Sequence, residues 1–61
     1  SKEIIDILMQ RDGLTYQEAK YAYNECRAAM LDAMSSDDIF AVEDILRYEL
    51  GLEPDYIFNF I

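Results

Sequence analysis

Thr15-Tyr16-Gln17-Glu18-Ala19-Lys20-Tyr21-Ala22-Tyr23-Asn24-Glu25-Cys26-Arg27-Ala28-Ala29-Met30-Leu31-Asp32-Ala33-Met34 reads as one long helix with its own start signal. Thr15 followed three residues later by Glu18 is a capping box, in which each side chain satisfies a backbone N–H of the first turn. Ala19, Ala22, Tyr23, Cys26, Ala29, Met30, Ala33 and Met34 then recur at the i, i+3, i+4, i+7 spacing of a single helical face. At 100° per residue these positions fall within an arc of about 140°, a single buried stripe. Four of the eight are alanine, which lets neighbouring helices approach closely. The opposite face carries Glu18, Tyr21, Glu25 and Asp32. The pattern predicts the central helix of a small all-α bundle.

The segments on either side repeat the same punctuation. Ser1 is the expected N-cap of a first helix, with Glu3 near its positive end. Ile4, Ile5, Ile7, Leu8 and Met9 make that helix apolar over more than half its circumference, so it is expected to meet more than one neighbour. Gly13-Leu14 is a helix stop, with glycine in the left-handed conformation and the following hydrophobe folding back. Ser35-Ser36-Asp37-Asp38 is read as a break and a new start: serine caps, with acids in the first turn. The third helix carries Ile39, Val42, Ile45, Leu46 and Leu50 on one side, with Phe40 and Tyr48 well away from them and a Glu43/Arg47 pair at i, i+4 spacing. Gly51-Leu52 repeats the stop, and Pro54 suits the first position of a short fourth helix. The expected organisation is one domain over residues 1–61, with helices near 2–11, 15–34, 37–50 and 54–60.

Sixty-one residues sit near the lower limit for folding without a staple. A single cysteine allows no intrachain disulfide and histidine is absent, so neither a disulfide nor a His-containing zinc site is expected to hold the fold. The chain is 52% hydrophobic and 30% charged, a globular balance. No apolar run reaches the length of a membrane span, and the N-terminal stretch lacks a signal-peptide pattern. A cytoplasmic location is the expectation.

The net charge of −8 is unevenly spread. From Ser35 onward Asp37, Asp38, Glu43, Asp44, Glu49, Glu53 and Asp55 face Arg47 alone, a net −6. Such a surface disfavours direct contact with nucleic-acid phosphates or an anionic membrane and favours a protein partner with a basic patch. The tight corner at Gly13 invites comparison with a helix-turn-helix. The following helix, however, shows Glu18, Glu25 and Asp32 outward with only Lys20 and Arg27 on its flank, which does not suit base reading. Asp12-Gly13 lacks the alternating oxygen ligands of a calcium loop.

No catalytic constellation is present in this pattern, and no enzyme activity, cofactor or metal is expected. Ser35 and Ser36 have no adjacent activator. Cys26 lies on the buried stripe, away from the cationic exposure that makes a thiol reactive. Asp37/Asp38 and Glu43/Asp44 are adjacent pairs whose side chains diverge by about 100° on a helix, which suits solvated helix-start charges better than a cation site. Two features could act by contact. One is the acidic face Glu18, Tyr21, Glu25 and Asp32, which is otherwise an ordinary solvated surface. The other is the aromatic set Phe40, Tyr48, Tyr56, Phe58 and Phe60, a candidate interface that otherwise completes the core. The terminal Tyr56-Ile57-Phe58-Asn59-Phe60-Ile61 leaves no polar face, so either the other helices or a second copy of the chain must cover it.

Arg11-Asp12-Gly13-Leu14-Thr15 followed by Glu18-Ala19, together with Gly51-Leu52-Glu53-Pro54-Asp55-Tyr56, resembles a group of short acidic proteins of unknown function from bacterial genomes and their prophages. The resemblance spans nearly the whole chain. It implies a bacterial or phage origin and assigns no activity and no site residues. The functional expectation is therefore a non-enzymatic protein–protein interaction module, with a homodimer through the terminal aromatic segment as one form of it. The alternative is an acidic decoy that mimics nucleic-acid charge and occupies a DNA- or RNA-binding protein.

Overall fold

The computed structural model describes residues 2–60; Ser1, and with it the expected N-cap of the first helix, lies outside them, as does Ile61. The fold is 83% helical, with no strand among the described residues. Helix α1 spans Lys2–Asp12, α2 spans Tyr16–Ser35 and α3 spans Ile39–Leu50, followed by a 3₁₀ segment over Pro54–Asn59. The twenty residues of α2 extend about 30 Å and set the long dimension of the molecule, which measures 33 × 18 × 17 Å. α3 packs along α2, α1 packs on α2 as well, and the 3₁₀ segment lies against α3.

The helix boundaries follow local chemistry. Thr15 Oγ1 accepts from the Glu18 N–H at 3.2 Å, and Glu18 Oε1 accepts from the Thr15 N–H at 2.9 Å, completing the capping box. Gly13 and Gly51 both take positive φ, 68° and 64°, ending α1 and α3 where an L side chain would be strained. Past Gly51, the Leu52 N–H turns back on the Leu46 carbonyl and the Leu52 side chain is buried.

The α2–α3 corner differs from the serine-capped start expected there. Ser36 ends α2, and the Ser35 hydroxyl bonds back to the Leu31 carbonyl. Asp37 adopts φ 56°, a left-handed residue that reverses the chain. Asp38 is the N-cap of α3, its carboxylate accepting from the Ala41 N–H at 3.0 Å. Both serines are taken up by the end of α2. Aspartate is as good a cap as serine and is the residue that stands at the turn.

The core is built from one stripe of each element: Ile4, Ile5 and Leu8 of α1, Ala19, Cys26 and Met30 of α2, and Val42, Leu46 and Leu50 of α3. Leu52 and Phe60 close it. No polar or charged residue is buried among the described residues. Met34 and Ile39, expected on the buried stripes, are exposed, Ile39 to 53%. The reason is reach. α1 has eleven residues, about 16 Å, and covers only the part of α2 nearest the Gly13 corner, so the far corner between α2 and α3 has two layers where the rest has three.

Candidate interaction surface

The terminal segment resolves by periodicity. A 3₁₀ helix has three residues per turn, so positions three apart share a face. Ile57 and Phe60 share one face and turn inward, Phe60 being 5% exposed; Tyr56 and Asn59 share a second and are half-buried; Asp55 and Phe58 share the third, with Phe58 74% exposed. Phe60 stacks on Tyr23 of α2, with ring centroids 4.8 Å apart and planes 20° from parallel. Asn59 Nδ2 donates to Glu3 Oε2 at 2.7 Å, tying the segment to the start of α1. Of the five aromatics proposed as an interface, Phe60 is therefore a core residue and Tyr56 packs half-buried against the core. The helices thus bury Phe60 and half-bury Tyr56 and Ile57, while Phe58 stays exposed.

Phe40 and Tyr48 are different. At 100° per residue Phe40, Asp44 and Tyr48 lie within about 80° of one another, on the side of α3 opposite Val42, Leu46 and Leu50. Phe40 is 76% exposed and Tyr48 is 82% exposed. They form a ridge on the outward face of α3, with Asp44 between them. Arg47 stands exposed beside this ridge. Its expected pairing with Glu43 does not form: among the described residues the one ion pair within 4.0 Å joins Arg11 to Asp12. Holding two mobile surface side chains together in water gains too little to fix such a pair.

The acidic face of α2 is present as a surface. Glu18, Tyr21, Glu25 and Asp32 are all exposed and lie within about 60° of one another on the helix. Glu18 is partly spent on the capping box. Tyr21 sits one turn from Glu25, whose carboxylate, as hydrogen-bond acceptor first and negative charge second, raises the phenol pKa. Glu18, Glu25 and Asp32 recur every seven residues, about 10 Å apart along the axis, far sparser than the charge of duplex DNA at one per about 1.7 Å.

Cys26 is buried against Met30, the two sulfurs 3.7 Å apart, and burial, with a smaller push from the Glu49 charge, raises the thiol pKa to about 11. It is thus a core side chain with neither thiolate character nor access. Among the described residues no group of three or more His, Cys, Asp or Glu is arranged to hold a metal ion. An open cleft of about 230 Å³ lies at the α2–α3 corner, lined by Met34, Asp37, Asp38, Ile39 and Val42. Sequence periodicity missed this cleft, because it placed both Met34 and Ile39 in the core. No helix among the described residues is long and apolar enough to cross a membrane.

No protein-family model, curated protein or solved structure matches this chain.

Proposed function

We propose that this chain is a non-enzymatic interaction module that binds a partner protein through the outer ridge of α3, in the cytoplasm of a bacterium or a cell infected by its phage. One observation carries the proposal: in a chain of 61 residues, Phe40 and Tyr48 are spent on the surface, one turn either side of Asp44, while the core closes without them. Large aromatics at that exposure contribute little to the monomer and are the side chains that dominate protein interfaces. A different protein suits the ridge better than a second copy. Two-fold pairing centred on the ridge sets Asp44 against Asp44, between molecules that each carry −8.

A second reading, the acidic decoy, is supported by the exposure of Asp37, Asp38, Asp44, Glu49, Glu53 and Asp55 in the strongly acidic C-terminal part. Salt separates the two. The tagged chain is used to capture proteins from a bacterial lysate, washed at low and then high salt. A partner held by the aromatic ridge stays bound at high salt; a nucleic-acid-binding protein released by salt supports the decoy, because exposed charge pairs are screened.

A further inference from the structure

We infer that the corner cleft between α2 and α3 is a seat for a lysine or arginine side chain presented by a partner protein; the inference rests on the interaction-module reading above and adds a second contact point to it. Met34, Ile39 and Val42 give the cleft an apolar lining, and Asp37 and Asp38 give it an acidic rim. A long cationic side chain has the matching construction, an aliphatic stem ending in a charge. The volume of about 230 Å³ suits one side chain and falls below the range of pockets for drug-sized ligands.

The carboxylates are available. Asp38 uses Oδ1 to cap the Ala41 N–H, which leaves Oδ2. The Asp37 backbone N–H donates to the Met34 carbonyl, while its carboxylate makes no hydrogen bond or ion pair with any other described residue. Arg47 lies nine residues beyond Asp38, about 13 Å along α3, and Arg27 ten residues before Asp37. Met34 and Ile39 stand exposed over the buried Val42 for a structural reason, since α1 stops short of this end of α2 and leaves the third layer missing. Two copies paired cleft to cleft do not fit, because that sets Asp37 and Asp38 against their own counterparts.

The test follows amide shifts of the isotope-labelled full chain during titration with butylguanidinium chloride, guanidinium chloride and 1-butanol. The expected result is saturating shifts confined to residues 34–42, at a concentration several-fold lower for butylguanidinium than for either half-probe. The D37N/D38N variant keeps the helix cap and tolerates the left-handed turn. It is expected to weaken butylguanidinium roughly fivefold, the scale of exposed charge pairs, while Ile39→Ser brings it to the level of guanidinium alone. Shifts scattered over all the acidic surface, no saturable shift, or an unchanged D37N/D38N response overturns the proposal. A captured partner lost on replacing Phe40 and Tyr48 but indifferent to D37N/D38N leaves the interaction-module reading standing and removes the cleft from it.

Discussion

The Arg11 guanidinium, at the end of α1, donates through Nη2 to the Leu50 carbonyl oxygen, and through Nη1 to that of Gly51 at 3.2 Å. One side chain thereby caps the C-terminal end of α3, where carbonyls lack helical partners and the dipole favours a cation. The same guanidinium forks onto Asp12, with Nε and Nη2 each 2.9 Å from a carboxylate oxygen. Two helix ends some forty residues apart are joined by a single residue.

Arg11→Ala is expected to destabilise the fold by about 1 kcal/mol, a fall of roughly 4–8 °C in Tm for a domain this small. Arg11→Lys recovers only part of it, because an ammonium cannot span both carbonyls and Asp12 as a planar fork does. Thermal unfolding of the two variants checks the order. Asp12 is held below its usual 3.8 by the Arg11 hydrogen bond, so its contribution is present above that value and is lost as pH falls through the lower folded one. Asp12→Asn is expected to remove that small acid-side component.

Phe60→Ala is expected to cost about 3 kcal/mol or more, since it empties a core position and removes the stack on Tyr23. Phe58→Ala, two residues away on the exposed 3₁₀ face, is expected to stay within about 0.5 kcal/mol of the parent. Equal losses at both positions in urea unfolding contradict the three-residue periodicity.

Cys26 has its pKa raised from 9.0 to about 11. The folded state thus favours the neutral thiol, and the associated stability is full below pH 9 and is lost as pH rises towards 11. Cys26→Ala is expected to lower stability at pH 7 and to flatten the alkaline fall between those values. A thiol reagent at pH 8 is expected to modify native protein only at the rate of unfolding.

Asp38→Ala removes the α3 cap and is expected to cost about 1 kcal/mol, whereas Asp38→Ser restores most of it. Asp37→Gly is expected to be neutral or stabilising, because glycine takes φ 56° without the penalty that an L side chain carries there. Calorimetry of the three variants gives the comparison.

Local chemistry made much of this legible in the sequence. Thr15/Glu18, Gly13 and Gly51 announce their own helix ends within four residues, and seven of the eight stripe residues of α2 are buried or half-buried. Long-range geometry was not legible. The Arg11 cap depends on where α3 ends relative to α1. The exposure of Met34 and Ile39 depends on α1 being too short to reach them. The terminal segment is apolar all round, so only a three-residue turn distinguishes Phe60 from Phe58. Phe40 and Tyr48 were legible as standing off the core face, since a fixed helical angle places them there.

The decisive comparison is capture from a bacterial lysate by the parent chain and by F40A/Y48A, with unfolding curves recorded for both. The ridge as an interface requires that the double variant unfold within about 0.5 kcal/mol of the parent, as for exposed positions, and lose the partner that the parent retains at high salt. A variant that keeps the same partner places the aromatics outside the interface, and one that fails to fold shows that the core does not close without them; either result contradicts the proposed function.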